Sequence, residues 1–229
     1  MTKKILIAGT MVSILIAIFA IPVSYGQSSN EELVEIPLVL PRAMFVGTPQ
    51  NIDVKNLEKP LGAPRPPFLA PKGTINAAFE KPVTSSDRMP IIGELEMVTD
   101  DDKDAGDGSY VELGPFLQWV QIDLEAEHNI YAIVMWHFHK QPRVYFDVIV
   151  QVSNDPDFET DVQTLFNNDD NNSAGFGAGK DLHYVETSEG KLIDAKGVQG
   201  RYVRSYSRGN SNDDLNHWIE LAVYGKPVE

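Results

Sequence analysis

The run Trp119-Val120-Gln121-Ile122-Asp123-Leu124 alternates apolar and polar residues. Period-two alternation places Val120, Ile122 and Leu124 on one side of an extended chain and Trp119, Gln121 and Asp123 on the other. That pattern reads as a strand with one buried face. A polar stretch from Glu125 to Asn129 reads as a turn, and a second strand is expected from Ile130 to His139. After a basic bend, a third runs from Tyr145 to Ser153. These three segments make the centre of one β domain.

The second strand carries a further constraint. Ile130, Ala132, Val134, Trp136 and Phe138 share one face, and Tyr131, Ile133 and Met135 share the other, so both faces are apolar. The outer face of a two-layer sandwich should be wet, which predicts a cover. Ile36 to Val46 is an apolar segment with no other home, and Pro37 and Pro41 confine it to an edge strand or extended cover. Gly62 to Gly73 holds four prolines and reads as a stiff linker. The domain proper is therefore expected over 74–229, behind an extension over 27–73.

Within 74–229, Asn76 to Ser86 reads as a strand ending in a serine turn. Glu94 to Val98, Thr164 to Phe166 and His183 to Thr187 read as short strands, and Gly200 to Ser207 and Trp218 to Tyr224 as longer ones. No stretch has the periodicity of an amphipathic helix. Many short strands between turn signals predict an all-β, antiparallel sandwich.

At the amino end, Lys3 and Lys4 precede the apolar run Ile5 to Ile21, and Ser24 and Gly26 are small residues at −3 and −1 of a cut before Gln27. Residues 1–26 are expected to be a secretion signal, and no later segment is apolar enough to cross a bilayer. Cleavage leaves 203 of the 229 residues. It also removes two lysines and no acid, taking the net charge from −14 to −16. Such a protein repels phosphate backbones, which argues against nucleic acid as a partner and leaves cations and neutral sugars. With no cysteine, thiolate metal sites and lipid anchoring through cysteine are excluded. The expected location is secreted, periplasmic or at the cell surface.

Four runs carry a resemblance. Trp119 to Leu124, Tyr145 to Asp155 (YFDVIVQVSND), Gly200 to Arg204 (GRYVR) and Ile219 to Gly225 (IELAVYG) occur in order. Together they resemble the discoidin (coagulation factor V/VIII type C) domain, a galactose-binding-like jelly roll similar to family 32 carbohydrate-binding modules. The likeness covers roughly Thr74 to Gly225. It implies a non-catalytic, adhesion-type module that binds sugars, lipid headgroups or proteins through loops at one end. The stretch from Trp136 to Tyr145 and the loop from Asn167 to Asp181 depart from the common pattern, and both are rim segments where a ligand would sit.

The resemblance also implies a structural calcium ion. Matching by position nominates Asp100, Asp102 and Asp107 of the acidic loop, with Glu220 of the closing strand. The loop is no EF-hand, because Ala105 and Val111 stand where that motif needs Gly and Glu.

His137 and His139, two apart near a strand end, share a side and suit a ligand or a transition metal. Arg143 and Tyr145 add a planar fork and a stacking face suited to sugar hydroxyls or a carboxylate. Asn210 belongs to a polar rim loop. These five are the expected ligand-binding residues. Gly175, Gly177 and Gly179 read as a flexible loop, since no phosphate-binding motif surrounds them. No nucleophile elbow, zinc-protease motif or Walker loop occurs. The reading is a carbohydrate or cell-surface-glycan binder. Two alternatives stay open: a metal-dependent hydrolase or lyase using His137 and His139, and an envelope adhesion protein that binds another protein.

Overall fold

The computed structural model describes residues 31–45 and 52–228. The secretion signal and Val46 lie outside them. The chain forms an all-β, antiparallel jelly-roll sandwich, as the strand pattern and the resemblance together predict. Its elements are β1 (Leu33–Glu35), β2 (Leu69–Pro71), β3 (Ile75–Asn76), β4 (Val83–Ser85), a 3-10 turn (Leu95–Thr99), β5 (Val111–Leu113), β6 (Gln118–His137), β7 (Ile149–Ser153), β8 (Gln163–Asn167), β9 (Lys191–Ser207) and β10 (Asn216–Pro227).

Two long strands join the layers. The first part of β6 pairs with β4 and with the end of β9, which continues through β7 to β8. The second part of β6 pairs with the start of β9 and with β10, which also carries β3 and β5. The polar stretch Glu125 to Asn129 is therefore not a turn but a bulge within one continuous strand. The β6–β9 register shifts between Asp123 and His128, and Glu125 has φ 64°. Lys196 and Gly197 of β9 also have positive φ, 54° and 78°, where the register shifts between Ile130 and Ala132. Strands that bend through bulges in this way can serve both layers of a sandwich.

Val120, Ile122 and Leu124 meet Ile133, Met135, Val148, Val150, Val152, Val203, Trp218, Leu221 and Val223 in the main core. Outside the first layer, the Arg204 guanidinium lies 4.3 Å from the centre of the Trp119 ring and 4.1 Å from that of Phe158. Asp123 takes a two-pronged bond from Arg201, at 2.7 and 2.8 Å.

The second shift alters the expected faces of β6. Ile130 joins Ile133 and Met135 inside, while Ala132, Val134 and Trp136 face outward. That outward face is covered: Ile36 and Ala70 are buried against it, with Leu38 and Phe68 beside them. β1 and β2 pair antiparallel to hold this cover. The cover starts where the sequence placed it, and β2, inside the proline-rich linker, completes it. Residues Glu31 to Glu229 form one compact unit.

Other elements differ from the sequence reading. The Asn76 to Ser86 strand breaks in two, with Glu80 at φ 55° before Pro82. Leu95–Thr99 is a 3-10 turn rather than a strand, and it buries Val98 and Thr99. His183 keeps only a bridge to Leu57, and Tyr145 only one to Asn210.

Candidate functional site

At one end of the sandwich, three segments meet. Phe146 N–H donates to Gly209 O at 3.2 Å and Arg208 N–H to Phe146 O at 2.8 Å. Asn168 N–H donates to Val148 O at 3.0 Å. The bend before β7, the loop after β8 and the loop after β9 are thus tied together.

Most of the expected ligand residues lie beneath this surface. His137 is fully buried, its Nδ1 2.7 Å from Glu186 Oε1, and it stacks on Tyr145 with ring centres 4.2 Å apart. Tyr145 O–H donates to His217 Nδ1 at 2.9 Å, which leaves His217 Nε2–H to donate to Glu112 Oε2 at 3.1 Å. Burial drives the His217 imidazole down to about 4, with the nearby Arg143 charge acting in the same direction. Burial pushes the Glu112 carboxyl up. His139 is also fully buried and bonds Lys103 O at 3.0 Å, so the two histidines have different partners. Asn210 is buried and closes its own turn, donating to Asp213 Oδ1 and Leu215 O. Arg143 reaches Asp213 at 3.1 Å and lies over the Phe138 ring. His137, His139 and Tyr145 present no appreciable surface to a ligand.

The calcium nominees do not converge. Asp100 Oδ1 accepts from Asp102 N–H, and Asp102 Oδ1 accepts from Asp104 N–H, so both carboxylates turn back on their own loop. Asp107 is exposed and pairs with Lys140 at 2.6 Å. Glu220 is fully buried and accepts from Asp101 N–H at 3.2 Å, while its Oε1 has no partner. Burial pushes its carboxyl up to about 8. Among the described residues, no group of three His, Asp or Glu is placed to hold a metal ion. One orphan oxygen does not make the six to eight that calcium takes. The residues present do not fit the ion.

Surface concavity lies beside the buried cluster rather than on it. A cavity of about 610 Å3 is lined by Phe146, Asp147, Asp170, Asn171, Ser173, His183 and Arg208, with Asp53, Val54 and Lys55 of the extension along one side. The Arg208 side chain is 37% exposed; its Nε lies 2.9 Å from Asp147 Oδ2, and its Nη2 donates to Ser173 O. Ser173 O–H donates to Asp147 Oδ2 at 2.5 Å. His183 packs edge-on to Phe146, and its Nδ1 has no partner. Burial lowers the His183 imidazole and raises the Asp147 carboxyl. The extension is fixed here by Asn56 Nδ2 donating to Asp170 Oδ2 at 2.6 Å, and by backbone bonds between 56–58 and His183.

A second cavity of about 430 Å3 lies between 58–65 and 184–192. Two of its three cations are committed: Arg65 donates to the Glu189 and Gly190 carbonyls, and Lys191 to Glu58, while Lys59 is exposed at its edge. The first cavity adds exposed Asp170 and Asn171 and a half-buried Phe146 ring beside the partly exposed Arg208.

The loop over 167–181 that walls this cavity is pinned rather than flexible. Asn167 N–H donates to Asp181 Oδ2, Asp181 N–H to Asn167 O, and Gly179 N–H to Asp169 O. A Cβ on Gly179 would stand 2.0 Å from Asn167 O, so only glycine permits this approach. The sequence reading named this loop as rim but missed Phe146, Asp147, His183 and Arg208. The signal lay at the expected strand ends: Phe146 and Asp147 near the start of the Tyr145 to Ser153 strand, His183 at the start of its own, and Arg208 just past Ser207.

No protein-family profile matches the chain, and no curated protein matches it significantly. Several solved structures resemble it. The CBM32 of AlyQ in complex with 4,5-unsaturated mannuronic acid is 14% identical, with a TM-score of 0.47 over 63% of this chain and 95% of that one. A Streptococcus pneumoniae fucose binding module is 15% identical, with a TM-score of 0.48 over 68% and 98%. Chitosan-binding module 1 of a chitosanase/glucanase from Paenibacillus sp. IK-5 is 18% identical, with a TM-score of 0.44 over 66% and 98%. These are the kind of module the sequence resembles. At such identities and scores the likeness says nothing of what this chain binds.

Proposed function

We propose that the chain is a secreted, non-catalytic module that binds carbohydrate in the cavity between Phe146, Asp170, His183 and Arg208. The observation that carries this reading is the cavity itself. Its volume of about 610 Å3 falls in the usual range for small-ligand sites, about 300–1,000 Å3. Sugar recognition needs donors and acceptors for vicinal hydroxyls and an apolar face for the ring. Arg208 supplies nitrogens, Asp170 and Asn171 supply oxygens, and Phe146 supplies a ring face. The lining holds three acids (Asp53, Asp147, Asp170) and two cations (Lys55, Arg208), and burial lowers the His183 imidazole, disfavouring its charged form. That slight negative excess favours a neutral sugar over a uronate or a phosphate.

A glycan array with labelled protein starting at Gln27 tests the reading. Binding to neutral glycans, lost in Arg208→Gln and Phe146→Ala, is expected. No glycan bound, or binding unchanged in both variants, would remove the cavity from the account.

A further inference from the structure

We propose that the ammonium of Lys103 is the resident cation of the acidic loop, so that the fold is complete without calcium. The Lys103 side chain is only 5% exposed, and lysine is almost never so buried unless paired. Its Nζ donates to Asp101 O at 3.1 Å and to the Asp101 carboxylate. The same ammonium stands 5.7 Å from the centre of the Trp136 ring, on the outward face of β6. Its carbonyl is held by His139 Nε2 at 3.0 Å. The residue is therefore fixed at both its backbone and its charged end.

Asp101 links this pair to the closing strand. Its N–H donates to Glu220 Oε2, and its backbone takes φ 69°. One residue thus faces β10 through its N–H and the lysine through its carbonyl and carboxylate. A cation in such a loop would gather the Asp101 oxygens, and the ammonium already holds both the carbonyl and the half-exposed carboxylate. Lys103 also balances Asp101 locally, and its positive charge opposes entry of a divalent ion. Unlike calcium, an ammonium needs only three acceptors, so it can close a loop whose other carboxylates turn outward.

The test is elemental analysis of the mature chain after dialysis into metal-free buffer, with thermal melts in EDTA and in millimolar calcium. The expected result is far less than one calcium per chain and a Tm that neither reagent moves. Lys103→Met, which keeps most of the stem and removes the charge, should lower Tm by several degrees. Retention of about one calcium per chain, with a Tm that EDTA lowers, would overturn the proposal. So would a Lys103→Met protein as stable as the wild type. Should that variant fail to fold, the wild-type measurements alone decide: stoichiometric calcium overturns the proposal, and a metal-free, chelator-insensitive protein upholds it.

Discussion

Replacing Ile36 by Ala tests whether the extension belongs to the fold. Ile36 is 4% exposed and lies among Ala132, Val134, Trp136, Ile219, Ala222 and Tyr224. Truncating a buried isoleucine to alanine costs about 2–5 kcal/mol, depending on how far the site collapses. The cover is two short strands at the surface and can partly close the gap, so about 2–3 kcal/mol is the working figure. For a domain of this size each kcal/mol moves Tm by about 2–4 °C. A fall of about 4–12 °C is therefore expected in a calorimetric or fluorescence melt. Leu33→Ala, on the same segment but 58% exposed, should change stability by no more than about 0.5 kcal/mol. Hydrogen exchange should accelerate in Ile36→Ala at the outward-facing residues of β6 and β10. An Ile36→Ala protein that melts with the wild type would refute the cover. The outward face of β6 would then be exposed in solution, and the extension would be only a tether.

Three further outcomes follow from the buried end of the sandwich and its rim. Tyr145→Phe removes the hydroxyl that bonds His217 Nδ1 and leaves a buried acceptor unpaired, which should cost about 1–3 kcal/mol in a urea melt. His217 sits at about 4 in the fold because of burial, whereas an unfolded imidazole titrates near 6.5. The unfolded chain binds the extra proton, so this contribution is full above about pH 6.5 and is lost as pH falls toward 4. His217→Gln should shrink the stability difference between pH 7 and pH 5, and an unchanged difference would refute the assignment. Gly179→Ala should loosen the loop over 167–181 and raise protease cleavage there, because its Cβ meets the Asn167 carbonyl.

The fold was legible where a strand has one wet face. The Trp119 to Leu124 alternation put the right three residues in the core, and the two apolar faces of the next strand required a cover. Bulges were not legible. Glu125 to Asn129 has the composition of a turn, yet the pairing with β9 carries the strand through it. The bulge near Ile130 then moves that side chain to the other face. The site was legible only as a region. His137 and Tyr145 looked like rim residues because they lie where strands leave the sheet. Both are buried, His137 against Glu186 and Tyr145 against His217, and the open surface passes to Phe146, Asp170 and Arg208. Sequence spacing does not show how long loops stack. The acidic loop likewise read as a cation site by its carboxylates, and its lysine became informative only once its side chain was seen to point inward.

The most direct test is a backbone amide NMR titration of the isotope-labelled mature protein with the best neutral glycan from an array. The account predicts the largest shift changes at Phe146, Asp147, Asp170, Asn171, His183 and Arg208, with smaller ones at 53–55. Changes confined to another surface, such as the Arg204 face or the cavity between 58–65 and 184–192, would contradict it.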